Sequence, residues 1–71
     1  MFLNQNLNNE LVKLQNISTE YKITYNSNLK EKINNIGKKI IENYYDDCEE
    51  KFFLKQILFK NDVNIAIINR K

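Results

Sequence analysis

Residues 41–53 read IENYYDDCEEKFF, two aromatic pairs flanking four carboxylates with the chain's only cysteine between them. The fold turns on this stretch. It is a reactive or metal-binding centre, part of one long helix, or the place where one helix gives way to another. A calcium loop spaces its oxygen ligands at alternate positions and needs a glycine for its sharp turn; DDCEE has neither. Zinc of the usual four-ligand kind is excluded as well, since the chain has one cysteine and no histidine. A nucleophilic cysteine needs a cation or histidine to stabilise the thiolate, whereas neighbouring carboxylates favour the neutral thiol. No metal, cofactor-binding or catalytic residue is therefore assigned, and Cys48 is read as a small apolar packing residue.

The same letters fit a helix boundary better. Asp46 with Glu49, and Asp47 with Glu50, have the spacing of a cap and its return contact, and acidic side chains suit a first helical turn with its unpaired N–H groups. The stretch is expected to start a third helix over about 47–60, or to stiffen a bend in one helix running from 29 to about 60.

Working outward, Leu3, Leu7, Leu11 and Leu14 recur at spacings of four and three and predict a helix over about 3–17. Leu29, Ile33, Ile36 and Ile40 repeat the pattern over about 29–45. Asn28, followed three residues later by Glu31, has the form of a capping box for that second helix. Gly37 lies inside it at a cost of about 1 kcal/mol relative to alanine, so it either marks a close helix contact or is simply tolerated. Residues 19–26 are ambiguous. Tyr21, Ile23 and Tyr25 alternate with polar residues as a strand would, yet Ser18, Tyr21 and Tyr25 also extend the leucine stripe at helical spacing. Val63, Ile65 and Ile67 alternate too. The expected fold is mainly α, two to three helices in a small hairpin or bundle forming one domain over 1–71. The alternative is α+β, with short strands near 19–26 and 63–68.

At about 100° per residue, Leu54, Ile57 and Leu58 continue the face of Ile36 and Ile40. Ile41, Tyr45, Cys48, Phe52 and Phe59 form a second stripe on another side of the same helix. Two apolar stripes imply cover from both sides, which a chain of 71 residues can hardly supply alone. With neither disulfide nor zinc available, the expected support is a second copy or a partner protein, and these five residues are the expected partner-binding set.

Charge runs basic, acidic, basic. Residues 1–40 carry six Lys and three Glu, 41–50 carry five carboxylates, and 51–71 carry four Lys, one Arg and one Asp. This asymmetry favours pairing between middle and ends, within one molecule or between two. Nucleic acid is the second class considered. Lys30, Lys32, Lys38 and Lys39 do not share one helix face, Glu31 interrupts them, and the single Arg leaves the chain poor in the commonest base reader. MFLNQNLNNE lacks a signal peptide's basic and apolar segments and no run of 18 apolar residues occurs, so the expectation is a cytoplasmic protein that avoids membranes. Thirteen Asn, ten Ile and a ten-to-one excess of Lys over Arg reflect A/T-rich codons. The reading is a non-enzymatic subunit, adaptor or inhibitor of viral or mobile-element type that occupies a partner's surface.

Overall fold

A computed structural model describes residues 2–69 of the chain. Four helices follow one another, α1 (Gln5–Thr24), α2 (Ser27–Tyr44), α3 (Lys51–Lys60) and the single-turn α4 (Ile65–Ile68). There is no strand among the described residues.

Asn4 starts α1 by accepting the Leu7 N–H on its side-chain oxygen at 3.1 Å. Leu3 therefore falls outside the helix it was expected to open, and it is fully exposed. Phe2 takes the inward position instead. Its backbone exchanges two hydrogen bonds with the Asn8 side chain, and its ring meets Phe53 at 5.6 Å between centroids.

α1 runs seven residues past the expected end, and this resolves 19–24 as helix, with Tyr25 and Asn26 forming the link to α2. Ser18 is buried, Tyr21 is half-buried and Ile23 is exposed, the outcome of helical rather than alternating spacing, while Tyr25, the last member of the expected stripe, lies past the helix end and is exposed. Tyr25 ends α1 in the left-handed conformation at φ 55°, donating its N–H to the Tyr21 carbonyl at 2.7 Å.

That reversal leaves Asn26 to cap α2, two residues earlier than the Asn28 expected from sequence. Its side chain accepts the Asn28 N–H at 2.8 Å, and its carbonyl accepts from Leu29 and Lys30. With so short a link, α1 and α2 lie antiparallel. Glu10 pairs with Lys39 at 3.1 Å, and Lys30 lies over the Tyr21 ring at 5.6 Å, so residues whose numbers sum to about fifty face each other.

The chain breaks between α2 and α3, and DDCEE is the break itself rather than a first helical turn. The Cys48 N–H closes a turn onto the Tyr45 carbonyl, and the Lys51 ammonium donates to the carbonyls of Asp46 and Cys48. Glu50 stands at the N-cap of α3 without a side-chain cap bond. Packing explains the break. Turning here buries Cys48 and brings Leu54 and Leu58, both fully buried, onto the core formed by Leu7, Leu11, Leu14, Ile33 and Ile40. Each such side chain contributes about 1.5–3 kcal/mol of burial, more than the few tenths of a kcal/mol that an exposed helix pair adds.

α3 ends in a Schellman motif. Val63 N–H donates to the Leu58 carbonyl and Asp62 N–H to that of Phe59, both at 3.1 Å, with Asp62 left-handed at φ 71°. Asn64 then caps α4 by accepting the Ala66 N–H, while its own N–H reaches the Asn34 side chain on α2 at 2.9 Å. The alternative of a strand at 63–68 is overturned, because Val63 and Ile68 turn inward while Ile65 turns out. The radius of gyration is 11.4 Å, against about 11 Å for a compact chain of this length, so the tail is packed on the body.

Candidate functional site

The five residues of the second stripe do not share a surface. They were placed together by continuing one helix through 45–50, and the break there divides them. Ile41 and Cys48 belong to the core, each 8% exposed. Tyr45 is half-buried, with the ammonium groups of Lys51 and Lys55 5.7 and 5.6 Å from its ring centre. Phe52 and Phe59 are 75% and 64% exposed.

Phe52 and Phe59 share a face for a simple reason. They stand seven residues apart on α3, a separation that returns to within about 20° of the same direction, and that direction is opposite the buried Leu54 and Leu58. Phe53 points to the side, where Phe2 meets it. Neither Phe52 nor Phe59 has a ring partner among the described residues.

Between this outer face and α4 runs an open groove of about 270 Å³. Ile65 and Ile68 form its second wall, with Ile65 52% exposed. Sequence reasoning left Ile65 out of the expected partner-binding set, having noted it only as one of the alternating positions of the alternative strand. The signal that locates it is Asn64, whose cap geometry starts a helix one residue later.

Charge is unevenly distributed around the groove. Lys55 and Lys60 line it, and no Asp or Glu among the described residues does. Beyond the N-terminal end of α3 lie Asp46, Asp47, Glu49 and Glu50, all exposed and none in an ion pair with another described residue. Three of them border a separate cleft of about 410 Å³ whose apolar wall includes Phe2, Leu7 and Cys48.

The lysines of α2 are partly committed to the fold. Lys39 pairs with Glu10, and Lys30 donates to the Asp62 backbone carbonyl. Asp62 is itself a junction. Its carboxylate accepts from the buried Ser18 hydroxyl at 2.8 Å and pairs with Lys22 at 3.2 Å, and Lys22 also donates to the Lys60 carbonyl. Burial pushes the Asp62 carboxyl up, but the hydrogen bonds from Ser18 and Lys22 and the charges of Lys22 and Lys30 outweigh it and hold the group below the ordinary aspartate value. These contacts tie α1 and α2 to the end of α3; they leave no free donor aimed at solvent from Ser18.

Among the described residues, no three His, Cys, Asp or Glu side chains gather as they would around a metal ion, and no helix is long and apolar enough to cross a membrane. Comparison of the chain with protein-family models, curated proteins and solved structures finds no match.

Proposed function

We propose that this protein is a non-enzymatic interaction module, a small subunit, adaptor or inhibitor that acts by presenting the outer face of α3 to another protein. The observation that carries this reading is the pair of exposed, unpartnered rings of Phe52 and Phe59 on one face, continued by Ile65 across a groove. Large aromatic side chains without an intramolecular role are the usual anchors of protein interfaces. Tyr45 lies against Lys55, a lining residue of the groove, whereas Ile41 and Cys48 are buried in the core and fall outside the proposed surface.

Nucleic-acid binding is the alternative, and the lysines of α2 are its support. Two of the four are engaged within the fold, which leaves Lys32 and Lys38 as a thin phosphate-binding set.

The test is affinity capture from the source cells with wild-type protein and with a Phe52→Asp/Phe59→Asp variant whose fold is checked by circular dichroism. A protein retained by wild type and lost by the variant is the expected result, with its stoichiometry read by native mass measurement. Retention that survives the variant, or co-purifying nucleic acid in place of protein, overturns the reading.

A further inference from the structure

We infer that the groove between α3 and α4 receives an acidic amphipathic helix of the partner protein, an inference that rests on the interaction reading above. The groove is an apolar channel whose charged lining residues, Lys55 and Lys60, are both cations. A partner segment laid along it must present apolar side chains to Phe52, Phe59 and Ile65 and carboxylates at its edges.

Dimensions support a helix. Phe52 and Phe59 are about 10.5 Å apart along the α3 axis, two helical turns, the repeat on which a docked helix presents its own anchors. Lys55 and Lys60 are about 7.5 Å apart on the same measure and about 140° apart around the axis, one on each flank of the Phe52 and Phe59 face, so with their flexible stems they meet carboxylates on the two opposite edges of a docked helix. At about 270 Å³ the groove falls just below the size range of sites that enclose a whole small molecule, and it is open along its length. It fits a few side chains of a longer ligand.

Two other occupants fit the groove less well. In a symmetric pairing of two grooves each copy offers the other a lining with two cations and no acidic side chain among the described residues. A single-stranded nucleic acid needs aromatic faces at successive bases and a continuous basic track. Here the rings stand two turns apart, the opposite wall is aliphatic, and the exposed carboxylates of residues 46–50 lie beyond the N-terminal end of α3.

The experiment is selection from a displayed library of helices about four turns long, randomised on the apolar face and carrying acidic, neutral or basic flanks. The full-length wild-type chain is expected to enrich acidic-flank helices about tenfold or more over neutral ones and to exclude basic ones. Lys55→Glu/Lys60→Glu should invert that preference. Lys60→Glu alone, at an exposed side chain that leaves packing untouched, should shift it in the same direction. Phe52→Asp should abolish capture of every class.

Equal enrichment of all three flank classes, still lost with Phe52→Asp, overturns the acidic partner and leaves the interaction reading standing. Enrichment of no helix, together with a dimer in sedimentation that Phe52→Asp dissolves, identifies a second copy as the occupant and overturns the inference alone. Enrichment of no helix, with binding of a labelled oligothymidine that Lys55→Glu/Lys60→Glu removes, overturns both.

Discussion

Val63 sits directly over Gly37, so close that a Cβ built on the glycine would stand 2.5 and 2.8 Å from the two Val63 methyl carbons. This contact seats the segment after α3 on the flank of α2, and the Asn64 N–H bond to Asn34 fixes its register one turn away. Of the two sequence readings of Gly37, the close contact is the one the fold uses.

Gly37→Ala is therefore expected to destabilise the protein although it improves helix propensity by about 1 kcal/mol. The added methyl meets a β-branched side chain that has little freedom to rotate away, and overpacking of this kind costs typically about 1–3 kcal/mol. Urea denaturation measures the net loss. Val63→Ala should destabilise the parent but relieve part of the penalty in the Gly37→Ala background, and strictly additive losses would show that the two residues do not press on each other.

Asp62 combines a left-handed backbone with a charged anchor. Asp62→Asn keeps a residue tolerant of that conformation and a side-chain acceptor for Ser18, so its loss should be smaller than that of Asp62→Ala, about 1 against about 2 kcal/mol. The pH dependence follows from the lowered carboxyl. A group whose folded pKa is depressed adds stability above its unfolded value, near 3.9, and that stability is lost as the pH falls through the lower folded value. The stability gap between wild type and Asp62→Asn should accordingly be complete near neutrality and shrink below about pH 4. A gap unchanged in acid would rule out the Lys22–Asp62 pair as its source.

Tyr25 closes α1 at φ 55° with its ring edge-on to Tyr21, centroids 5.9 Å apart. Tyr25→Ala loses the ring and keeps the strained backbone, whereas Tyr25→Gly loses the ring and relieves it. The glycine variant should be the more stable of the two by about 1 kcal/mol. Thermal melts that put alanine level with glycine would place the strain elsewhere.

Phe52 and Leu54 lie two residues apart on α3 and should behave oppositely. Leu54→Ala opens a cavity in the core and is expected to cost about 2–5 kcal/mol. Phe52→Ala and Phe59→Ala should each change stability by about 0.5 kcal/mol or less, while weakening partner binding by about 2 kcal/mol or more. Cys48→Ser belongs with the core set, a modest loss of stability with binding kept. Calorimetric melts beside binding isotherms separate the two behaviours.

The amphipathic periods of α1 and α2 were legible in the sequence because each helix buries a single face. Spacings of four and three at Leu7, Leu11 and Leu14, and at Ile33 and Ile40, require nothing beyond helical geometry and water. The inward face of α3 was legible for the same reason. Where the helices stop was not. DDCEE has the composition of a helix start, yet it becomes a link because Cys48, Leu54 and Leu58 gain more by turning back onto the first two helices than an extended helix gains by continuing. That turn separates Ile41 and Cys48 from Phe52 and Phe59, which one unbroken stripe had joined. The tail shows the same division. Val63, Ile65 and Ile67 alternate in sequence as a strand would, but a strand needs a partner edge, and Val63 finds a glycine on α2 instead. Local periodicity determined which residues are apolar and on which face of a helix. Long-range packing decided which of those faces meet each other, and so which aromatic rings stay exposed to solvent.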